Sequence, residues 1–135
     1  MRGWDYSRSG VYFVTFVVAG RRPFLVLDDG VLSIEGSIVR GIWGRLPELF
    51  PRVQLDELAI MSDHVHAVLV LLDHSSDRTP LGEVVRSWKA ASTRSIRRST
   101  PAFGWQSHYQ DWVIRSQASL NRVRAYIRSN PIRRT

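Results

Sequence analysis

The run 64-HVHAVLVLL-72 constrains the fold more than any other stretch. Its apolar residues do not alternate with polar ones, so a strand here is apolar on both faces. Such a strand belongs inside a sheet, with cover on each side. Yet it begins with two histidines. His64 and His66 stand at i and i+2 and project from one face, with Val65, Ala67 and Leu69 on the other. Val68 and Val70 continue the histidine face as packing surface. An unpaired buried polar group costs about 1–3 kcal/mol, so both rings need partners. A shared metal ion would satisfy them, and so would hydrogen bonds to backbone or water. The two histidines alone leave both readings open.

The flanking pattern places that strand. Residues 11-VYFVTFVV-18 are β-branched and aromatic and predict a strand, followed by a turn at 19-AGRRP-23 and a short apolar piece at 24–27. Ile34, Ile38, Ile42, Leu46 and Leu49 recur at helical spacing, which predicts an amphipathic helix from about 31 to 50, stopped by Pro51. Residues 52–61 alternate with one break and predict a strand hairpinned to 64–72 through Ser62 and Asp63. A polar loop leads to a second helix from Leu81, with Thr79 as N-cap and Pro80 at its first position. Residues 105-WQSHYQDWVIR-115 are expected to include a short strand. Ser116 caps a last helix, 117-QASLNRVRAYIRSN-130, ended by Pro131. The order β–α–β–β–α–β–α implies one α+β domain over residues 1–135, a ferredoxin-like (RRM-like) sandwich with an antiparallel sheet.

Charge narrows the partners. The chain carries 19 basic and 12 acidic residues, net +7. Residues 1–83 hold 8 basic and 11 acidic side chains, while residues 84–135 hold 11 basic and a single acid, Asp111. All the basic residues but Lys89 are arginines, which bind phosphate bidentately and stack on bases. A polarised, arginine-rich half points to a polyanion, although a solvated arginine surface would read the same way. There is no cysteine, which excludes disulfides and thiolate metal sites. No apolar run reaches membrane-spanning length and no secretory leader is visible at the N-terminus, so a cytoplasmic protein is expected.

The ligand types limit any metal. Two histidines without cysteine leave room for oxygen ligands, which favours a divalent ion such as Mg²⁺ or Mn²⁺ over a closed structural zinc site. On the last helix, Leu120, Val123 and Ile127 form an apolar stripe. Tyr126 lies at its edge, where its hydroxyl can face a cleft, and Asn130 follows one turn later. Asn130 offers an amide oxygen, but a helix stop before proline explains it equally well. A phenol has a pKa near ~10, so a nucleophilic Tyr126 needs help. Arg122, Arg124 and Arg128 on the same helix would supply a positive field.

Together these motifs resemble the single-tyrosine HUH transposases, named for two histidines around a hydrophobic residue. The pattern W-Q…D-x-x-I-R…Y-I-x-x-N-P, carried by 105–115 and 126–131, is most similar to the REP-associated tyrosine transposases. The opening strand and turn, 12-YFVTFVVAGRRPFL-25, are similar as well. Ser62 and Asp63 stand where such proteins often have Pro and Asn, a change expected to alter the turn and not the ligands. The resemblance implies an HUH endonuclease fold and a metal-dependent enzyme that cuts single-stranded DNA beside hairpins. It implies His64, His66 and Asn130 as metal ligands and Tyr126 as the nucleophile. The link formed would be a 5′-phosphotyrosine, with a 3′-hydroxyl released to rejoin strands later. Arg86, Lys89, Arg94, Arg97, Arg98, Arg115 and Arg122 are candidate DNA contacts by charge and position. A bacterial, nucleoid-associated setting is expected, and a monomer or a homodimer fits the resemblance. Against this stand a non-catalytic nucleic-acid-binding domain, which would need neither His64 nor Tyr126, and a structural α+β protein whose histidines only pack.

Overall fold

The computed structural model describes residues 9–129. Along the chain run β1 (Gly10–Val18), α1 (Ile34–Leu49), β2 (Val53–Ile60), β3 (His64–Leu71), α2 (Leu81–Ile96), β4 (Trp105–Ile114) and α3 (Gln117–Arg128). The strands form one antiparallel sheet in the order β2-β3-β1-β4. This is the expected ferredoxin-like arrangement, with the doubly apolar β3 inside the sheet. The strand over 105–115 is longer than expected: β4 has ten residues and pairs with β1 along most of its length. No helix among the described residues is long and apolar enough to cross a membrane.

The two faces of the sheet are covered unequally. α1 and α2 pack on the face that carries Tyr12, Val14 and Phe16 of β1 and Val65, Ala67 and Leu69 of β3, all fully buried. Trp88 of α2 centres this layer. Its ring meets Phe16 edge-on at 4.7 Å, and its Nε1 donates to the Val39 carbonyl at 3.0 Å. The buried stripe of α1 is Val39, Trp43 and Leu46, with Gly36 tucked under the Leu25 carbonyl. Of the Ile34–Leu49 pattern only Leu46 lies in that stripe: Ile34 and Leu49 are exposed, Ile38 and Ile42 half-buried at its border. Thr79 does not cap α2 either. Its amide and hydroxyl both donate to Asp77 Oδ1, at 3.1 and 2.6 Å, and Pro80 takes the cap position without a side-chain bond.

Among the described residues the opposite face is covered by α3 alone. Ser116 Oγ caps it, accepting from the Ser119 amide at 3.1 Å. Ile127 is fully buried against Ala59 and Val68, with Leu120 and Val123 beside it. Two ion pairs add to this docking. Arg124 grips Asp56 with Nε and Nη2 at 2.9 and 2.6 Å, and Arg128 Nε donates to Glu57 at 2.8 Å. Consecutive strand residues ordinarily point to opposite faces. Here the register of β2 shifts between Leu55 and Glu57, and this bulge turns both carboxylates toward α3. It is also the break in alternation visible at 55–58.

Removing the anchor should loosen α3 before the rest. Ile127→Ala is expected to cost on the order of 3 kcal/mol of α3 docking. Amide exchange should speed up across 117–128 while β1 and β3 stay protected, because few contacts besides this cluster hold the helix. Arg124→Gln should act in the same direction. Uniform acceleration through the whole sheet would show that α3 is not a separate unit.

Candidate active site

β3 and α3 together place two histidines and a tyrosine over one cleft. His64 and His66 project from the same face, with ring centroids 4.8 Å apart and planes near perpendicular. The Tyr126 ring meets His66 edge-on at 5.6 Å. All three line an open cleft of about 470 Å³, with Thr15, Val17 and Arg21 on one side and Gln106, His108, Tyr109 and Gln110 of β4 on the other. Tyr126 is 56% exposed, so its hydroxyl is accessible to a large substrate. Asn130 lies outside the described residues.

Each histidine has its Nδ1 engaged. Asp63 Oδ1 accepts from His64 Nδ1 at 2.6 Å, and Thr15 Oγ1 meets His66 Nδ1 at 2.9 Å. A carboxylate only accepts, so the Asp63 contact places a His64 proton on Nδ1, and in the neutral ring Nε2 then carries the lone pair. The Thr15 hydroxyl can serve either tautomer of His66, including the one with the same outcome. Asp63 therefore does more than shape the turn: the departure from the P-N-H-V-H pattern reaches the histidine itself. Its other oxygen lies 3.7 Å from Arg21 Nε. Arg21 reaches that position from a left-handed backbone (φ 52°) after Gly20 (φ 69°).

Burial and the neighbouring His64 push the His66 pKa down from 6.5 to about 4. Its ring is thus neutral at physiological pH, the form a metal requires. The donor set fits a divalent ion in part: two imidazoles project from one face with their outer nitrogens unclaimed by Asp63 or Thr15. Among the described residues no cluster of three His, Asp, Glu or Cys side chains is placed to hold a metal. Among the described residues, a third ligand of another kind is left to an amide, a substrate or water. Tyr109 also borders the cleft, but it pairs with Phe16 and packs with the helix-side core. Burial and then Asp111 raise its pKa, and it is less exposed than Tyr126.

The arginines divide into groups. Arg86, Lys89, Arg94 and Arg97 of α2 and its end line a second cleft, of about 700 Å³, against Trp105, Gln106 and Tyr109 of β4. Gln106 and Tyr109 border both clefts, so the two meet at β4. Arg98 is exposed beyond α2, and Arg115 and Arg122 are exposed at the entry to α3. Arg124 and Arg128 do not form the expected field around Tyr126, because Asp56 and Glu57 pair with them. Thr15, Arg21 and His108 were not picked out from the sequence. Thr15 is the one polar residue within 11-VYFVTFVV-18, a signal that β1 has a special point on one face.

A family model described as "Transposase IS200 like" matches residues 49–130. An uncharacterised protein of Haemophilus influenzae is 25% identical over 154 residues, covering 98% of this chain and 86% of its own. Among solved structures, a REP-associated tyrosine transposase bound to a REP hairpin superposes with a TM-score of 0.75 at 19% identity, covering 98% of this chain and 72% of that one. A transposase candidate from Deinococcus radiodurans superposes with a TM-score of 0.57 at 22% identity, covering 96% and 95%. These two likenesses establish the fold.

His66 gives the metal-free protein a measurable acid sensitivity. Its folded pKa lies below its unfolded value, so its contribution is complete above about pH 6.5 and lost as pH falls toward about 4. The loss should be on the order of 3 kcal/mol. Urea unfolding with chelator at pH 7 and at acid pH should show it in the wild type. His66→Gln should flatten that part of the profile; an unchanged profile would mean that His66 titrates normally.

Proposed function

The chain belongs to the IS200-like transposase family, and on that premise we propose that it cuts and rejoins single-stranded DNA through Tyr126. The observation that carries this reading is the accessible Tyr126 ring 5.6 Å from His66, above two histidines on one face of an open cleft. In the proposed reaction the Tyr126 oxygen attacks the scissile phosphorus. The new O–P bond forms as the bond to the 3′ oxygen breaks. The phenolic proton leaves to solvent or a nearby base, and the departing 3′ oxygen takes one up. The product is a 5′-phosphotyrosine and a free 3′-hydroxyl, and the reverse attack rejoins strands without a nucleotide cofactor.

His64 and His66, with Asn130, would hold Mg²⁺ or Mn²⁺, which supplies charge stabilisation at a phosphate oxygen. Asp63 and Thr15 orient the two rings from behind by fixing their Nδ1 atoms. Arg86, Lys89, Arg94 and Arg97 line a track for the DNA backbone that meets the site at β4, and the exposed Arg98, Arg115 and Arg122 extend it. The structural neighbour bound to a REP hairpin supports hairpin-bearing repeat DNA as the substrate. Tyr126 lies beside its own chain's His66, which supports a site formed within one copy.

The test is incubation with Mn²⁺ and hairpin-bearing single-stranded DNA. The wild type should form a covalent adduct that maps to Tyr126. Tyr126→Phe should bind DNA as before and form none; adducts in that variant would place the nucleophile elsewhere. His64→Ala should lower cleavage by more than about a hundredfold, and Asp63→Ala should weaken Mn²⁺ binding by about tenfold in a direct titration. Mixing Tyr126→Phe with His64→Ala should restore nothing, whereas recovered activity would show a site shared between copies.

A further inference from the structure

We propose that Trp112 forms a subsite for one unpaired base of the DNA strand, next to the phosphate that Tyr126 attacks. The proposal rests on the single-strand transposase reading and adds to it a base contact and its place.

Trp112 lies on β4 opposite Phe13, on the α3 side of the sheet. It is a large aromatic side chain left 48% exposed. Its ring stacks on Phe13 at 5.2 Å and 26°. Phe13 in turn lies 5.6 Å from His66, and His66 lies 5.6 Å from Tyr126. A row of rings therefore runs from the exposed indole to the tyrosine. Phe13 backs one face of the indole and fixes its plane, while the exposed surface opens on a cleft of about 330 Å³ between β4 and α3.

The walls of that cleft select its occupant. Besides the two rings they are Val113, Ile114, Val123 and Ser119, with no charged group among them. At the rim, Arg122 Nη2 donates to Ser119 Oγ at 3.1 Å and holds a cation there. A flat aromatic surface with a fixed cation beside it suits a base and its phosphate. Along α3, Val123 precedes Tyr126 by three residues, about 4.5 Å of helix rise. With Phe13 and His66 between the indole and the Tyr126 ring, a base in this cleft belongs to a flanking nucleotide near the one being cut.

Single-stranded binding of this kind depends on stacking more than on base identity. The probe is a stem-loop oligonucleotide with single-stranded flanks, and Tyr126→Phe is the background that prevents cleavage. Fluorescence anisotropy should show Trp112→Ala weakening affinity roughly five- to 150-fold, with Trp112→Phe keeping most of it. Abasic substitution, position by position, should weaken binding by the wild-type cleft at one flanking nucleotide. That penalty should vanish in Trp112→Ala. The abasic scan also works without the tryptophan variant, should that variant fold poorly. Normal affinity in Trp112→Ala, or no single abasic position with a penalty beside the cut, overturns the subsite alone. Failure of the background protein to bind any single-stranded DNA overturns the transposase reading, and the subsite with it.

Discussion

A strand that is apolar on both faces must be covered twice, and among the described residues the second cover of β3 is the shorter one. On one side two sixteen-residue helices pack over the sheet. On the other, α3 has only twelve residues, about 18 Å of helix, against about 26 Å for an eight-residue strand. α3 spends its apolar stripe on Val68, Ala59 and Phe13 and leaves the His64 end open. The cleft is the part of the sheet that α3 does not reach. His64 and Tyr126 there can be polar because water reaches them, and the buried His66 can be polar because Thr15 meets its Nδ1.

The docking of α3 couples fold to site. Tyr126 and Ile127 are neighbours, so the residue that anchors the helix sits beside the one that faces the cleft. The β2 bulge supplies the rest. Without the register shift at 55–57, Asp56 and Glu57 would point to opposite faces and only one could meet α3. With it, both carboxylates engage arginines one turn apart on the helix. These pairs set the rotation of α3, and hence the direction of the Tyr126 ring.

Much of this was legible from the residues, and the gaps have physical causes. The H-x-H spacing placed both rings on one face because a strand has a fixed period of two. Tyr126 was placed at a helix edge by the Leu120, Val123 and Ile127 stripe, which the structure reproduces. The face of α1 was misplaced because its isoleucines repeat at four-residue intervals, while Gly36 permits a close approach centred on Val39 and Trp43. Thr15 and Asp63 escaped because their contacts to the histidines depend on strand pairing and loop closure. Thr15 lies 51 residues from His66, a distance that no local pattern spans.

Charge shows the same limit, and it redirects the functional reading. Counted along the chain, the arginines of α3 look like the natural field for a phenolate and a phosphate. In the fold, Arg124 and Arg128 are matched by carboxylates, which cancel most of their charge at a distance. On the α2 side the partners are mixed: Arg86 pairs with Glu83 at 3.1 Å, whereas Lys89 donates to the Gln106 carbonyl and Arg97 to the Phe103 carbonyl. A carbonyl holds a cation in place without neutralising it, so less side-chain entropy remains to be lost when a phosphate arrives. Positions set by carbonyls are therefore better suited to a polyanion than positions set by carboxylates. On this ground the proposed DNA track is better placed along α2 and β4 than along α3.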